Sequence, residues 1–291
     1  MVRVALVTCA DGPDVAEDRD LPVLVRALNE AGAQASAEVW DDGRVDWARF
    51  DLAVIRSTWD YSWRAAEFTA WAERCGALTR LANPADVVRW NTDKRYLADL
   101  AAARVPVVET RYLAPGDAVE LPDGPGEFVV KPASGAGARF AARYTPDEHD
   151  TAVRHVRRLH DDGFTAMVQP YMRAVDSGGE RALQFFGGTP LHASRKGPVL
   201  APGTPYDRRK TAHPGLTAWT PAADELGVAE AALAAVPGAP ELLYARVDLV
   251  DGDDGRPRVM ELELVEPNLF LWLHPGSLPA VVERIIEAAG S

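Results

Sequence analysis

Three carboxylates near the end of the chain have a spacing that suits metal binding. The segment "YARVDLVDGDDGRPRVMELELVE" is typical of two strands joined by a tight turn, with Asp248 on the first strand and Glu261 and Glu263 on the second. Glu261 and Glu263 are two residues apart, so they project from the same face of their strand. Neighbouring carboxylates repel one another unless a cation lies among them, and such oxygen ligands suit Mg²⁺ bound together with phosphate oxygens. The alternative, a solvated acidic face, fits poorly with the regular apolar residues between the acids.

A second pattern, "FVVKPASGAGARF", suits the binding of a phosphate chain. Lys131 ends an apolar strand, and a loop of small residues that includes Ser134, Gly135 and Gly137 follows at once. Backbone N–H groups of such a loop approach an anion closely because no large side chains intervene, while the lysine supplies positive charge. A small-residue hairpin beside an edge-strand lysine has the same pattern, so both interpretations stay open for the loop alone. The Walker pattern GxxxxGK[ST] does not occur in the sequence.

A third group of polar residues follows the strand "FDLAVIRS". The segment "RSTWDY" places Arg56, Thr58, Asp60 and Tyr61 where open parallel sheets bind their ligands, beyond the carboxyl end of a strand. We therefore treat these four residues as candidates for substrate binding. The competing interpretation is a helix start, in which Thr58 or Asp60 caps the helix "WRAAEFTAWAERCG".

The elements that position these residues fall into two patterns. The first third of the chain alternates apolar strands and amphipathic helices, which predicts a parallel sheet covered by helices on both sides. The turn after the first strand, "TCADGPD", lacks the glycines of a dinucleotide site. Later segments predict a largely antiparallel second sheet, with a closing helix over "SLPAVVERIIEAAG". The segments "VPVV", "RYLA" and "FVVKP" have strand character, and the second sheet is predicted from the segments "AMVQPYM", "ALQFFGG", "TPLHASRKG" and the carboxylate-bearing hairpin.

The bulk composition excludes several classes of protein. The chain has 291 residues, 47% hydrophobic and 25% charged, which is the balance of a packed globular protein. A formal net charge of −12 argues against nucleic-acid binding, which needs a surplus of Lys and Arg. The sequence shows neither a signal peptide nor the roughly 18–20 apolar residues of a membrane span, and Cys9 and Cys75 fit reduced thiols. We therefore expect a cytoplasmic protein without a membrane partner.

A long stretch rich in Gly and Pro, residues 197–217, is a candidate lid. Connections of this length in compact domains are uncommon and are often binding loops. Its basic residues Arg208, Arg209 and Lys210 would face an anion in an otherwise acidic protein. A solvated surface excursion is the alternative.

Taken together, these motifs resemble the ATP-grasp superfamily of carboxylate–amine ligases, over nearly the whole chain and in the family's order. The resemblance implies a mixed α/β and α+β fold, in which two lobes with antiparallel sheets clamp ATP behind a parallel-sheet N-terminal domain. On this basis we expect the N-terminal domain over residues 1–90. The small lobe with its phosphate loop would span residues 91–166, and the large lobe with the magnesium site residues 167–291.

The resemblance also assigns roles to individual residues. The implied nucleotide-binding residues are Lys94 and Lys131 for the phosphates, Ser134, Gly135 and Gly137 in the phosphate loop, Gln169, Tyr171 and Met172 for adenine, and Glu180 for the ribose. The family's R-x-D and E-x-N elements correspond to Arg246, Asp248, Glu261 and Glu263. Glu263 departs from the pattern, since the family usually has Asn there. A carboxylate also binds Mg²⁺, so the predicted metal site stands; Asn268 is a weaker substitute because Pro267 interrupts the strand.

The activity that the resemblance implies is ATP-dependent ligation through an acyl phosphate, with ATP and two Mg²⁺ ions. Within the superfamily the chain is similar to the branch that includes O-ureidoserine cyclo-ligase, whose reaction closes O-ureido-D-serine to D-cycloserine. Arg246 would stabilise the oxyanion, and Arg195 and Lys196 would face the small-molecule substrate. An intermolecular amino-acid or peptide ligase and a catalytically silent nucleotide-binding protein are the alternatives. A homodimer is a further expectation from the family.

Overall fold

The computed structural model describes residues 1–10, 17–135, 137–204, 206 and 215–291. The basic residues of the predicted lid, Arg208, Arg209 and Lys210, lie outside the described residues. The strands are β1 (Arg3–Thr8), β2 (Gln34–Val39), β3 (Leu52–Ser57), β4 (Arg80–Ala82), β5 (Arg111–Leu113), β6 (Phe128–Pro132), β7 (Ala142–Tyr144), β8 (Ala166–Pro170), β9 (Glu180–Phe186), β10 (Thr189–Lys196), β11 (Thr217–Trp219), β12 (Tyr244–Asp251) and β13 (Pro257–Glu263). The helices are α1 (Leu21–Glu30), α2 (Ala65–Leu78), α3 (Ala85–Asn91), α4 (Tyr96–Ala102), α5 (His149–Asp161), α6 (Val175–Gly178), α7 (Ala223–Ala234) and α8 (Leu278–Gly290).

The N-terminal sheet is parallel, in the order β2-β1-β3-β4. Its central strands are continuous apolar runs because both faces are covered. Leu6 of β1 packs in one core with α1 and α8, whereas its neighbour Val7 packs in another with α2. The prediction of a parallel sheet with helices on both sides is therefore confirmed.

The small lobe is an antiparallel sheet in the order β5-β8-β6-β7, with α5 packed on one face. Phe128 and Val130 of β6 lie in the core with Val156 of α5. Alternation along the strand then turns Val129 and Lys131 to the opposite face, where they line a cavity. The apolar strand thus carries its lysine out of the core.

The large lobe is an antiparallel sheet in the order β11-β10-β9-β12-β13. One face packs on α7, and its core includes Leu183, Val247 and Leu262. The residues that alternate with them, such as Arg246 and Asp248, project from the other face. The sheet therefore separates an apolar face from a charged one.

Several sequence-based expectations about elements are wrong or incomplete. The segment "VPVV" makes a single bridge, Val107 to Val259, and does not form a strand. Helix α2 begins at Ala65 after Arg64, so neither Thr58 nor Asp60 caps it. Helix α7 and the short edge strands β4 and β11 have no counterpart in the predictions.

The predicted second sheet is two sheets. Strand β8 pairs with β5 and β6 of the small lobe, whereas β9 and β10 pair within the large lobe. The proposed boundary between residues 166 and 167 falls at the first residue of β8. Helix α8 packs on the N-terminal domain through Val281 and Ile285. The ranges 1–90, 91–166 and 167–291 stay a prediction.

No helix among the described residues is both long and apolar enough to cross a lipid bilayer.

A buried asparagine fixes the N-terminal domain to the large lobe. Asn83 is fully buried, and its amide nitrogen donates to the carbonyl oxygens of Tyr244 at 2.9 Å and Leu264 at 2.8 Å. Its side-chain oxygen accepts from the backbone N–H of Leu243 at 2.8 Å. One side chain thereby satisfies backbone groups at the start of β12 and just after β13.

We predict that Asn83→Ala lowers the free energy of unfolding by about 3–5 kcal/mol, because it leaves buried donors and acceptors unpaired. Asn29→Ala is the matched control, since exposed Asn29 also makes three bonds, to Val25 and Ala35, and water can replace them. We expect the control to cost about 1 kcal/mol. Urea unfolding measures both values, and equal losses would contradict the role of Asn83.

Candidate active site

The charged faces of the two lobes meet at one cavity. Strands β6 and β8 line it from the small lobe, and β12 and β13 from the large lobe. The predicted site residues among its lining are Lys94, Lys131, Gly135, Gly137, Gln169, Tyr171, Met172, Glu180, Lys196, Arg246, Asp248, Glu261 and Glu263. Groups more than a hundred residues apart in the sequence therefore converge on one space.

The three predicted metal ligands lie together on paired strands. Asp248 of β12 is the register partner of Glu261 on β13, and Arg246 is the partner of Glu263. Asp248, Glu261 and Glu263 each offer a carboxylate oxygen, and these oxygens lie within 4.8 Å of one another. This is an all-oxygen set of the kind that hard divalent cations such as Mg²⁺ prefer.

Two cations hold the buried acid Asp248. Arg246 donates from Nε to Oδ1 at 2.8 Å and from Nη2 to Oδ2 at 2.9 Å, and it also binds Glu263. Lys196 Nζ lies 2.5 Å from Asp248 and 2.9 Å from Glu180. Burial opposes ionisation of Asp248, but Arg246 and Lys196 outweigh it and lower the pKa of the carboxyl. Asp248 is therefore an anion before any metal arrives.

The lysines of the cavity differ in their partners. Lys94 Nζ pairs with Glu261 at 3.1 Å and donates to the carbonyl of Gly135, which ties the predicted phosphate loop to the segment just before α4. Lys131 has no ion pair among the described residues, and burial lowers its pKa. The sequence has four lysines, of which Lys94, Lys131 and Lys196 line the cavity. Among the described residues, Lys131 is the one of these three lysines without an ion-pair partner. Its compact ammonium suits phosphate oxygens as a point charge.

Residues of the predicted phosphate loop line this cavity. Gly135 and Gly137 line it, and Gly137 has φ +64°, a left-handed conformation that favours glycine. Ser134 is outside the lining, and its buried Oγ has no hydrogen-bond partner among the described residues. Residue 136 is outside the described part of the chain.

The other end of the cavity is apolar. Val129, Leu200 and Met260 line it beside Tyr171 and Met172, which suits a flat aromatic base. Sequence reasoning missed the first three. Met260 and its neighbour Glu261 both line the cavity, although adjacent residues of a regular strand point to opposite faces. The β12–β13 register shifts between Asp248 and Leu249, which places both side chains on the cavity side. Such a bulge re-aims a side chain and leaves no clear signal in the sequence.

Arg195 does not join the site. Lys196 lines the cavity, and adjacent residues of a strand point to opposite faces. The guanidinium of Arg195 accordingly lies 6.0 Å from the ring centroid of Trp219 on the edge strand. Arg195 is therefore outside the cavity lining, and the catalytic or substrate-facing role expected for it stays a prediction.

The segment "RSTWDY" is largely buried and lies outside the cavity lining. Arg56 is buried and donates to the carbonyl of Pro267 at 2.9 Å. Asp60 accepts from Trp40 Nε1 at 2.9 Å and from Arg64 at 3.1 Å. Thr58 is fully buried. Arg56, Thr58, Asp60 and Tyr61 are outside the cavity lining. Among the described residues, Thr58 Oγ1 and the Nε and Nη1 atoms of Arg56 have no hydrogen-bond partner. The substrate-binding role of this segment stays a prediction.

Sequence reasoning missed a further buried acid, Glu266. Glu266 is 4% exposed and does not line the cavity. Burial raises the pKa of Glu266 to about 7, although Tyr61 and Lys94 oppose this. The sequence feature that could have identified Glu266 is its place in "LVEPN", three residues after the predicted metal ligand Glu263.

The pKa of Glu263 predicts how stability depends on pH. Burial raises this pKa to about 8, against the favourable charge of Arg246. Between about pH 5 and 8 the unfolded chain has lost this proton while the folded protein keeps it, so stability falls as the pH rises. We predict that the free energy of unfolding of Glu263→Gln falls by about 2–4 kcal/mol less than that of the wild type over this pH range.

Urea unfolding in a chelator, at about pH 5.5 and about pH 8.5, measures the effect in the wild type and the variant. The chelator is needed because a bound cation would favour the ionised carboxylate. Equal pH dependence in both proteins would contradict the assignment.

Comparisons with known proteins agree with this architecture. Residues 4–83 match the family described as "D-cycloserine synthetase DcsG, N-terminal domain". The cycloserine biosynthesis protein DcsG of Streptomyces lavendulae is 42% identical over 307 aligned residues, which cover 97% of this chain and 98% of that protein. A crystal structure of D-cycloserine synthetase DcsG superposes with a TM-score of 0.88 at 39% identity, over 99% of each chain.

More distant structures share the fold alone. D-alanine–D-alanine ligase of Bacillus anthracis has a TM-score of 0.71 at 16% identity, over 99% of this chain and 97% of that one. A RimK domain ATP-grasp protein of Sphaerobacter thermophilus has a TM-score of 0.65 at 18% identity, over 98% of this chain and 100% of that one. The resemblance to the ATP-grasp superfamily is thereby confirmed. The chain belongs to the D-cycloserine synthetase DcsG family and is an ATP-dependent ligase with the ATP-grasp fold.

Proposed function

We propose that this protein closes O-ureido-D-serine to D-cycloserine in an ATP-dependent reaction of antibiotic biosynthesis. The similarity to DcsG over nearly the full length of both chains supports this substrate. The observation that carries the chemistry is the convergence of Lys131 and the acids Asp248, Glu261 and Glu263 on one cavity. Lys131 of the small lobe then faces the predicted metal ligands of the large lobe.

The nucleotide lies along this cavity. Its adenine occupies the apolar end near Gln169, Tyr171 and Met172, and Glu180 binds the ribose. Its phosphates extend toward Lys94 and Lys131, under the loop that contains Ser134, Gly135 and Gly137. Lys131 supports this orientation, because it lines the cavity and has no ion-pair partner among the described residues that a phosphate would have to displace.

The carboxylates Asp248, Glu261 and Glu263 would hold the two Mg²⁺ ions expected for the reaction. Their close oxygens fit a hard cation, and Glu263 takes the position where the family usually has an amide. Bound Mg²⁺ neutralises charge on the terminal phosphates. Arg246 and Lys196 orient Asp248 from the side, which preorganises the ligand set.

The reaction proceeds through an acyl phosphate. The substrate carboxylate attacks the γ-phosphorus of ATP in line and ADP leaves. The nitrogen bonded to the side-chain oxygen of the same molecule loses its proton and attacks the activated carbonyl, and phosphate leaves. Water then cleaves the bond between this nitrogen and the carbamoyl carbon, and the carbamate released breaks down to CO2 and ammonia. Arg246 stabilises the oxyanion of the tetrahedral intermediate, and the closed cavity limits hydrolysis of the acyl phosphate.

Substrate-dependent release of ADP tests this function. We expect the purified protein with MgATP to release ADP rapidly with O-ureido-D-serine and to form D-cycloserine, detected by mass spectrometry. Single amino acids, alone and in pairs, are the comparison. Turnover only with pairs, with a dipeptide product, would contradict cyclisation and establish an intermolecular ligase. No stimulation by any carboxylic acid would contradict the ligase function itself.

The role of Lys131 predicts a defect in nucleotide binding. Lys131→Ala should weaken MgATP binding by about 10- to 150-fold, the loss of one charged hydrogen bond. Arg74→Ala is the control, because it removes a positive charge from the exposed surface of α2. Isothermal titration calorimetry measures both affinities. Unchanged affinity in the Lys131 variant would refute its contact with the phosphates.

A further inference from the structure

The two sides of the cavity carry opposite charges. Among the described lining residues between 94 and 175, the charged side chains are Lys94, Lys131 and Arg139, and no acid is present. The acids of the lining all lie on strands β9, β12 and β13 of the large lobe. An anion in the cavity is therefore attracted toward the small lobe. Of the three cations there, Arg139 was not among the site residues expected from the sequence.

The loop that carries Arg139 is attached to the metal side of the cavity at its start. Lys94 Nζ donates to the carbonyl of Gly135 and pairs with the predicted metal ligand Glu261 at 3.1 Å. At the other end of the loop, Phe140 packs against the core of the small lobe. The segment between these two attachments therefore lies along the cavity beside the predicted metal site.

A tight turn places Arg139 in the cavity lining. The backbone N–H of Ala141 donates to the carbonyl of Ala138 at 3.2 Å. Ala138 and Phe140, on either side of Arg139, have φ +58° and +53°, a left-handed conformation that is uncommon for residues with side chains. Such conformations persist where the surrounding structure holds them, often at functional sites. The turn thus directs Phe140 to the core and Arg139 to the cavity.

The guanidinium of Arg139 also reaches the N-terminal domain. Its central carbon lies 4.2 Å from the ring centroid of Trp63, which ends the short helical segment Trp59–Trp63 after β3. A cation this close to an aromatic face is attracted to it. Stacking uses the face of the guanidinium, whereas its N–H groups point outward in the plane and match the oxygens of a phosphate. The ring therefore positions the guanidinium without consuming a hydrogen-bond donor.

We propose that Arg139 binds the terminal phosphate of ATP and that Trp63 positions it there. The inference rests on the proposed function, in which the phosphates extend under this loop. The loop starts beside the metal ligand Glu261 and reaches Trp63 at its turn, so the end of the phosphate chain meets the guanidinium between them. Positive charge at this point stabilises the phosphoryl group during its transfer. The N-terminal domain thereby takes part in ordering the phosphate site.

A comparison of two nucleotides that differ in the terminal phosphate tests the role of Arg139. Calorimetry measures the affinities for ADP and for AMPPNP, a non-hydrolysable ATP analogue, both with Mg²⁺. We expect Arg139→Met to bind AMPPNP about 10- to 150-fold more weakly than the wild type, because one charged hydrogen-bonding contact is lost. Its affinity for ADP should be nearly unchanged, which also shows that the variant is folded.

Substitutions of Trp63 test the positioning role. Trp63 is 43% exposed, so these changes should not disturb a core. Trp63→Leu should weaken AMPPNP binding by about two- to five-fold, and Trp63→Phe, which keeps an aromatic face, should lose less. In the Arg139→Met background, Trp63→Leu should have no further effect, because the group that the ring positions is gone. A further loss in the double variant would contradict the positioning role.

Arg19→Met is the matched control, because Arg19 lies 5.4 Å from the ring centroid of exposed Trp272, outside the cavity lining. It should bind both nucleotides as the wild type does. A folded Arg139→Met that keeps its affinity for AMPPNP, or loses affinity for both nucleotides equally, would overturn the inference alone. If Arg139→Met does not fold, unchanged AMPPNP binding by Trp63→Leu would overturn it. A wild type that binds neither nucleotide would instead overturn the proposed function, and the inference with it.

Discussion

The repulsion among buried carboxylates on one sheet face is the constraint on which the site depends. Asp248, Glu261 and Glu263 offer oxygens within 4.8 Å of one another, an arrangement that is stable only when positive charge lies among them. Arg246 and Lys94 supply part of that charge from the protein. Their partial compensation lowers the pKa of Asp248 and of Glu261 and keeps both ionised beside Glu263, whose pKa is raised by burial. The ligand set is thereby formed before the ligand arrives.

Strand alternation connects this charged face to the stability of the lobes. In the large lobe, Val247 packs on the α7 side while Arg246 and Asp248 face the cavity. In the small lobe, Val130 packs with α5 while Lys131 faces the cavity. Each site residue thus has apolar neighbours that anchor its backbone in a core. Positioning of the site and folding of the two sheets depend on the same residues.

Much of this arrangement could be predicted from local sequence. The hairpin acids and Lys131 were found because alternation along a strand fixes which residues share a face. Other features depend on contacts between distant segments. Met260 enters the cavity through a register shift, and the segment that carries buried Glu266 is held by hydrogen bonds from Arg56 and Trp59 of the N-terminal domain. The same alternation rule separates Arg195 from its neighbour Lys196, which lines the cavity.

The central claim is that Lys131 and the acid cluster bind opposite sides of one triphosphate. A crystal structure with Mg²⁺ and a non-hydrolysable ATP analogue tests it most directly. The account predicts the β- and γ-phosphates between the ammonium of Lys131 and metal ions bound by Asp248, Glu261 and Glu263, with the adenine beside Met260. A nucleotide in another cavity, or phosphates out of contact with either group, would contradict it.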